Sequence, residues 1–354
     1  DSSNDAFEHN FKIFIDVCHN HSLSYEIESL FDQQIKGDIV MKKHVLISLM
    51  LVVALLASAC AQTDTVVTSA VKSVVSNMPD HIYKIGEQDF VDKVNAGEDM
   101  VILDIRQPDV YAEGHIKGAV NLPWGTAISD NLEKIPQDKE VFIYCYTGQT
   151  AGQAVLTLNV AGIKARSVNL GWNLGISKVE GVEDVTETQE NTLPDASNTI
   201  DEKIAAAIDD YYTKMEAITD QYKNYKISEA DLKAAIDSKS DIVILSVRKA
   251  EDYAAGHIPG AINIPFGKTM LDDLSALPKN KKIVVYCYTG QTAGQAVAAL
   301  RLLGYDAVSL NGGTGMPSNA PAGWVNSGYE LVTGDEEPSG GDSTSAAPNS
   351  GNAS

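Results

Sequence analysis

Residues 144–155 read YCYTGQTAGQAV, and residues 286–297 read the same twelve letters without one change. One chemical device is therefore present twice. Ahead of each copy stands a short apolar run, Val141-Phe142-Ile143 and Ile283-Val284-Val285, whose length and β-branching predict a buried strand of a parallel sheet. A helix is expected behind each copy, from about Ala151 and Ala293. The cysteine then sits where a strand ends, and the loop after it wraps back so that successive backbone N–H groups face the sulfur. Gly148 and Gly290 supply the positive φ that such a wrap needs. A helix N-terminus aimed at the sulfur favours thiolate over thiol. Cys145 and Cys287 are accordingly the candidate nucleophiles. Tyr146, Thr147, Gly148, Gln149 and Thr150, with their repeats Tyr288, Thr289, Gly290, Gln291 and Thr292, form the candidate anion-binding loops. A lone cysteine at a strand end is commonly inert packing. A loop with a glycine and two hydroxyls, given twice, points to chemistry instead.

The repeat extends beyond these loops at a constant offset of 142 residues. LDIRQPDVYAEGHIKGAVNLPWG from Leu103 matches LSVRKAEDYAAGHIPGAINIPFG from Leu245, and Ser167-Val168-Asn169 matches Ser309-Leu310-Asn311. These blocks resemble the rhodanese family, in which a loop cysteine carries a persulfide. The resemblance covers most of residues 80–178 and 222–332. It implies two tandem α/β domains, each a parallel sheet flanked by helices. The implied activity is sulfur transfer, from thiosulfate, polysulfide or a persulfide to a thiol or cyanide, with no cofactor because the sulfur travels on the enzyme. The alternative is a non-catalytic sulfane-sulfur carrier or binding module of the cell envelope, since intact cysteines serve a relay equally well.

The same resemblance implies supporting roles for four further groups. Asp104-Ile105-Arg106 is similar to the Asp-x-Arg element that holds the wall of the site. The second copy, Ser246-Val247-Arg248, lacks the carboxylate, so Arg248 is expected either to point to solvent or to add positive field near its loop, and the two sites are expected to differ. His115 and His257, in Gly-His-Ile-x-Gly-Ala, are implied to support loops. Apart from the resemblance, Trp124 and Phe266 follow the Asn-x-Pro turn at matching positions and read equally as the pocket mouth or as packing. Neither loop contains Arg or Lys. Phosphatases of this fold close a longer loop with a phosphate-binding arginine, so phosphate ester hydrolysis is disfavoured. The neutral loops are expected to favour polysulfide or persulfide donors over dianionic thiosulfate, a preference that arginine at Gln149 and Gln291 would reverse.

With 27 Lys and Arg against 48 Asp and Glu, the formal net charge of −21 disfavours nucleic acid or an anionic membrane as partner, since both need basic patches. Cys18, Cys60, Cys145 and Cys287 form no C-x-x-C pair and no metal-ligand spacing, so no metal site or disulfide framework is indicated. Residues 1–40 begin without methionine and show no sustained period; they are expected to be upstream translation. Residues 41–60, MKKHVLISLMLVVALLASAC, have the layout of a bacterial signal peptide. Ala57-Ser58-Ala59-Cys60 is similar to a lipobox, so Cys60 is expected to be lipidated and the protein exported to the cell envelope on that anchor, with cleavage to a soluble form as the competing outcome. Residues 61–79 carry an amphipathic stripe through Val67, Val71 and Val75, and residues 179–221 an acidic linker followed by a second stripe through Ile204, Ile208, Tyr211 and Met215; both read as docking faces. Residues 181–198 are expected to be a solvated connector across which the domains move, and residues 333–354 to be disordered.

Overall fold

Alternating apolar runs and helical segments build two parallel sheets, one per repeat, in the computed structural model, which describes residues 65–195 and 198–334. A helix over residues 65–76 (α1) precedes β1 (Lys84–Ile85), α2 (Glu87–Asn95), β2 (Val101–Asp104), α3 (Pro108–Glu113), β3 (His115–Ile116), β4 (Ala119–Asn121), β5 (Glu140–Tyr144), α4 (Gln149–Val160) and β6 (Lys164–Val168). After β7 (Thr186–Glu187) and α5 (Glu202–Glu216), the second half follows with β8 (Lys226–Ile227), α6 (Glu229–Asp237), β9 (Ile242–Ser246), α7 (Ala250–Ala255), β10 (Ala261–Asn263), β11 (Lys282–Tyr286), α8 (Gln291–Leu302) and β12 (Ala307–Leu310). The strand orders are β1-β6-β5-β2-β4 and β8-β12-β11-β9-β10. All of these pairings are parallel, so each needs a crossover, which the helices supply. Strands β5 and β11 lie in mid-sheet, and every residue after their first is buried. That placement accounts for their continuous apolar runs.

Helices α4 and α8 are buried on nearly every face, and their sequences have no polar stripe to offer water. Each lies between its own sheet and the other helix. They cross at two glycines: a Cβ on Gly152 would lie 2.2 Å from the Gln291 carbonyl oxygen, and one on Gly294 would lie 2.3 Å from that of Gln149. Only a residue without a side chain permits this approach. The crossing sits in one apolar cluster that joins Val141, Ile143 and Val155 to Ile283, Val285 and Val297, and takes in Val71 and Val75 of α1 with Ile208 and Tyr211 of α5. The amphipathic stripes are thus used inside the molecule. The outer sheet faces have separate cores, around Phe90 and Phe142 in the first half and Leu232 and Trp324 in the second.

One expectation fails here. The acidic segment after residue 180 does not form a free connector over its described length. Strand β7 pairs antiparallel with β3, Asn191 Nδ2 donates to the Ala119 carbonyl at 3.2 Å, and the Asn198 N–H donates to the Glu133 carbonyl at 2.8 Å. These bonds fix the segment to backbone of the first domain although many of its side chains stay exposed, and the halves share a core, so relative motion across a loose linker is not what this architecture provides. The signal-like segment with Cys60, the residues before it and most of the C-terminal tail lie outside the described residues. Among the described residues, no helix is long and apolar enough to cross a membrane.

Candidate active sites at the domain interface

Cys145 follows the last residue of β5 and Cys287 the last residue of β11. Gly148 and Gly290 adopt left-handed φ of 88° and 93°, which turns the chain back on itself. Their N–H groups then donate to Cys145 Sγ at 3.1 Å and Cys287 Sγ at 3.2 Å. The helices begin at once, with Gln149 and Gln291, two residues earlier than the sequence pattern indicated, because the glycines serve as N-caps. Each sulfur therefore lies against the N-terminal turn of a twelve-residue helix. A second loop fixes the turn from outside. The Trp172 and Asn173 N–H groups donate to the carbonyls of Cys145 and Tyr146, each at 2.8 Å, and Thr314 and Gly315 do the same for Cys287 and Tyr288 at 2.8 and 3.0 Å. Tyr146 and Tyr288 accept from the Gln107 and Lys249 N–H groups at 3.1 and 3.3 Å, which ties the loops to the neighbouring β2 and β9 ends.

The glutamines of the two loops have a different role from the one expected. Gln149 Nε2 donates to Ser309 Oγ at 2.7 Å and to the Leu310 carbonyl at 3.0 Å. Gln291 Nε2 donates to Ser167 Oγ at 2.7 Å and to the Val168 carbonyl at 3.2 Å. One turn later, Gln153 reaches the Asn224 carbonyl at 3.1 Å and Gln295 the Ile82 carbonyl at 3.0 Å. Four glutamine amides thus clasp the two halves reciprocally and are committed to the opposite domain. Arginine at 149 or 291 would break this clasp, so the proposed swap does not test donor charge cleanly.

The clasp brings residues of the second half to the first cysteine. A cavity of about 500 Å³ is lined by Cys145, Tyr146, Thr147, Thr150 and Trp124 together with Met215 and Glu216 of α5 and with Lys223, Lys226 and Asn311. This volume suits a small molecule. Two lysines from outside the loop, Lys223 and Lys226, thus bring to the Cys145 cavity the positive charge that the loop itself lacks. Burial pushes Lys226 below the ordinary lysine range, opposed by the neighbouring Cys145 sulfur and by Glu229. Burial pushes Lys84 down likewise, opposed by Cys287 and Glu87. The signal for both lysines was in the sequence, as Tyr83-Lys84-Ile85 and Tyr225-Lys226-Ile227 at the repeat offset, but it read only as the opening of an edge strand.

The supporting residues divide by domain. Arg106 donates through Nε to both Asp104 oxygens at 3.0 Å, through a terminal nitrogen to Asp104 at 2.6 Å, and to the Gly114 carbonyl at 2.7 Å. Burial works against the Arg106 charge, and the Asp104 carboxylate outweighs it and holds the group above its ordinary value. The guanidinium carbon lies 4.3 Å from the centre of the Trp172 ring, so the pair braces the loop that closes on Cys145. Arg248 is also buried, at 5% exposure, which removes the solvent-pointing option for it. It donates to the Gly256 carbonyl, while its Nε finds no partner among the described residues. The His115 ring nitrogens lie 2.8 and 2.9 Å from the Tyr111 and Gln189 carbonyls, and the His257 ring lies 3.1 Å from the Tyr253 carbonyl. Both histidines are stacked on tyrosines, at sites that anchor the segments following each domain: Gln189 in one case and the Val332 backbone pairing in the other.

A strand-end thiol held by a backbone N–H against a helix N-terminus, in a cavity sized for a small molecule, defines a class of protein built to stabilise a reactive sulfur. The chain belongs to the rhodanese-like family: the family's domain model matches residues 87–177 and 228–315, half of the chain. Over 70 residues it is 40% identical to thiosulfate sulfurtransferase PspE of Escherichia coli K12, a match covering 20% of this chain and 67% of that protein. It is 30% identical over 83 residues to YrkF of Bacillus subtilis 168, named as a sulfur carrier, a match covering 23% of this chain and 44% of that protein. The chain spans less than half the length of several curated relatives. The solved structure of SseA from Escherichia coli is 21% identical, covers 65% of this chain and 98% of that one, and superposes with a TM-score of 0.31.

Proposed function

We propose that this chain is a tandem sulfurtransferase working by double displacement at Cys145 and Cys287. The cysteine thiolate attacks the outer sulfur of a sulfane donor, thiosulfate, polysulfide or a persulfide. The donor S–S bond breaks, its electron pair leaves with sulfite or a thiolate, and a new S–S bond leaves the cysteine as a persulfide anion. A thiol, as thiolate, or cyanide then attacks that outer sulfur, and the cysteine departs as thiolate. Charge and electrons balance without a redox partner, so the chemistry asks for no cofactor. The observation that carries this reading is the Gly148 and Gly290 N–H groups at 3.1 and 3.2 Å from the sulfurs, which stabilise thiolate and persulfide alike. Thr147, Thr150, Thr289 and Thr292 stand in the same loops and are assigned to the same anions. Export on a lipidated Cys60 is part of the proposal, and intact mass of protein from its native host tests it: a mature chain that starts at an unlipidated residue rules the anchor out.

Mixing the protein with thiosulfate or polysulfide plus cyanide and following thiocyanate tests the chemistry. Many turnovers are expected from the wild type and from each single Cys→Ser variant, and none from Cys145→Ser/Cys287→Ser. One stoichiometric burst from the wild type would make the chain a sulfur carrier instead.

A further inference from the structure

Charge that the Cys145 loop lacks is brought to it by the other domain. Lys226, on edge strand β8, lines the Cys145 cavity, as does Lys223 just before that strand. Two carboxylates face the same region. Glu216 Oε1 already accepts the Thr126 N–H at 2.8 Å, and Glu229 accepts from the Gly323 N–H and from Asn311 at 3.3 Å. None of the salt bridges among the described residues joins either carboxylate to Lys226, although Glu229 supports its charge from outside contact distance. The ammonium is thus left to balance whatever negative charge the cavity holds. Lys84 stands in the matching place in the first half, on edge strand β1, whose partner residue in the register is Ser167. Gln291, the residue that follows the Cys287 loop, docks on that same Ser167. The Lys84 carbonyl accepts from Arg166 at 2.9 Å, which fixes the strand there.

We infer that each anion site is completed by the opposite domain: Lys226 is the counter-ion of Cys145 and Lys84 the counter-ion of Cys287, and both select a donor that carries negative charge at the sulfur being cleaved. For each lysine, the first influence that opposes burial is the cysteine of the other half. The inference rests on the sulfurtransferase reading for its donor but not for its electrostatics. A dianion such as thiosulfate leaves sulfite behind when its S–S bond breaks, and an ammonium stabilises both the bound donor and the departing anion. The neutral loop composition consequently understates the affinity for thiosulfate.

Two measurements on single-cysteine proteins test this. In the Cys287→Ser protein, Lys226→Met is expected to move the pH midpoint of Cys145 alkylation by iodoacetamide up by about one unit or more, and Lys226→Arg to leave it near its starting value. Sulfur uptake from thiosulfate should fall about tenfold or more with Lys226→Met, and uptake from a neutral organic trisulfide should fall less. In the Cys145→Ser protein, Lys84→Met should do the same to Cys287. An unchanged alkylation midpoint in both methionine variants overturns the assignment, as does a shift of equal size from Lys233→Met, a control on the exposed face of α6 that pairs with Asp237. If Lys226→Met does not fold, Lys84→Met carries the test alone. Alkylation does not require transfer, so absence of thiocyanate from any donor would defeat the sulfurtransferase reading and leave the lysine assignment to be judged on the midpoints.

Discussion

At position 104 the first domain has an aspartate that its repeat replaces by Ser246, and the consequence falls on one atom. Arg106 has a carboxylate against Nε and one terminal nitrogen, whereas Arg248 has a 3.4 Å contact from its own N–H to Ser246 Oγ, a bond from a terminal nitrogen to Gly256 and the faces of Tyr286 and Tyr288 at 5.5 and 5.9 Å, with no carboxylate partner among the described residues. Removing one member of a buried pair strands the other charge, at a cost of about 3–5 kcal/mol. Asp104→Ala should therefore lower stability by that order in urea unfolding. Ser246→Asp should raise it by about 1 kcal/mol, the scale of a charged hydrogen bond after desolvation, by giving Arg248 Nε the acceptor it lacks; a lower midpoint would show that the site has no room for the carboxylate. The Asp104–Arg106 pairing was legible only through the resemblance, because Asp104-Ile105-Arg106 matches that family's Asp-x-Arg element. The Lys226–Cys145 relation was not, because it links residues of different domains and depends on how the domains pack. Tyr-Lys-Ile recurs at both domain starts, yet nothing in one chain segment says what lies across an edge strand.

Strand, cysteine loop and helix were readable as elements because their signals are contiguous: a β-branched run, a glycine that must be left-handed, and a helical pattern without a polar face. What that buried pattern meant was not readable. A helix apolar all round is covered on all sides, and here part of the cover for α4 is α8, which repeats its first seven residues and approaches as closely as glycine allows. Gly152 and Gly294, in mid-helix where glycine ordinarily weakens a helix, are the crossing point. Gly152→Ala forces a methyl group to within 2.2 Å of the Gln291 carbonyl, and the helices must part. Overpacking of this kind costs about 1–3 kcal/mol. Since Gln149 and Gln291 begin the two helices and follow the two cysteine loops, the change should slow thiocyanate formation at both cysteines, measured separately in the single Cys→Ser proteins. Loss confined to Cys145 would mean that the crossing does not couple the sites.

On the scale of the molecule, two halves with separate outer cores share an inner one, and the Cys145 cavity is lined in part by the other half. The acidic segment between them looked like a hinge from its composition, but its described residues are bound to the first domain. Neither half can withdraw without exposing the inner cluster around Val155 and Val297 to water and exchanging the glutamine bonds between the halves for bonds to water, a net loss of about 0.5–1.5 kcal/mol each. Folding of one half is thus worth much less without the other, and equilibrium unfolding is expected to be a single cooperative transition rather than two. The tryptophans offer a way to see this. Trp124 and Trp172 lie in the first half and Trp324 in the second, so in Trp324→Phe the fluorescence reports the first half alone while far-UV circular dichroism reports both. Coincident urea transitions from the two probes are expected, in that variant and, at a higher midpoint because the buried Trp324 is kept, in the wild type. A circular-dichroism transition that splits in two, with fluorescence following only one wave, would show that the halves are independently stable and that the shared core and glutamine clasp contribute little to holding them together.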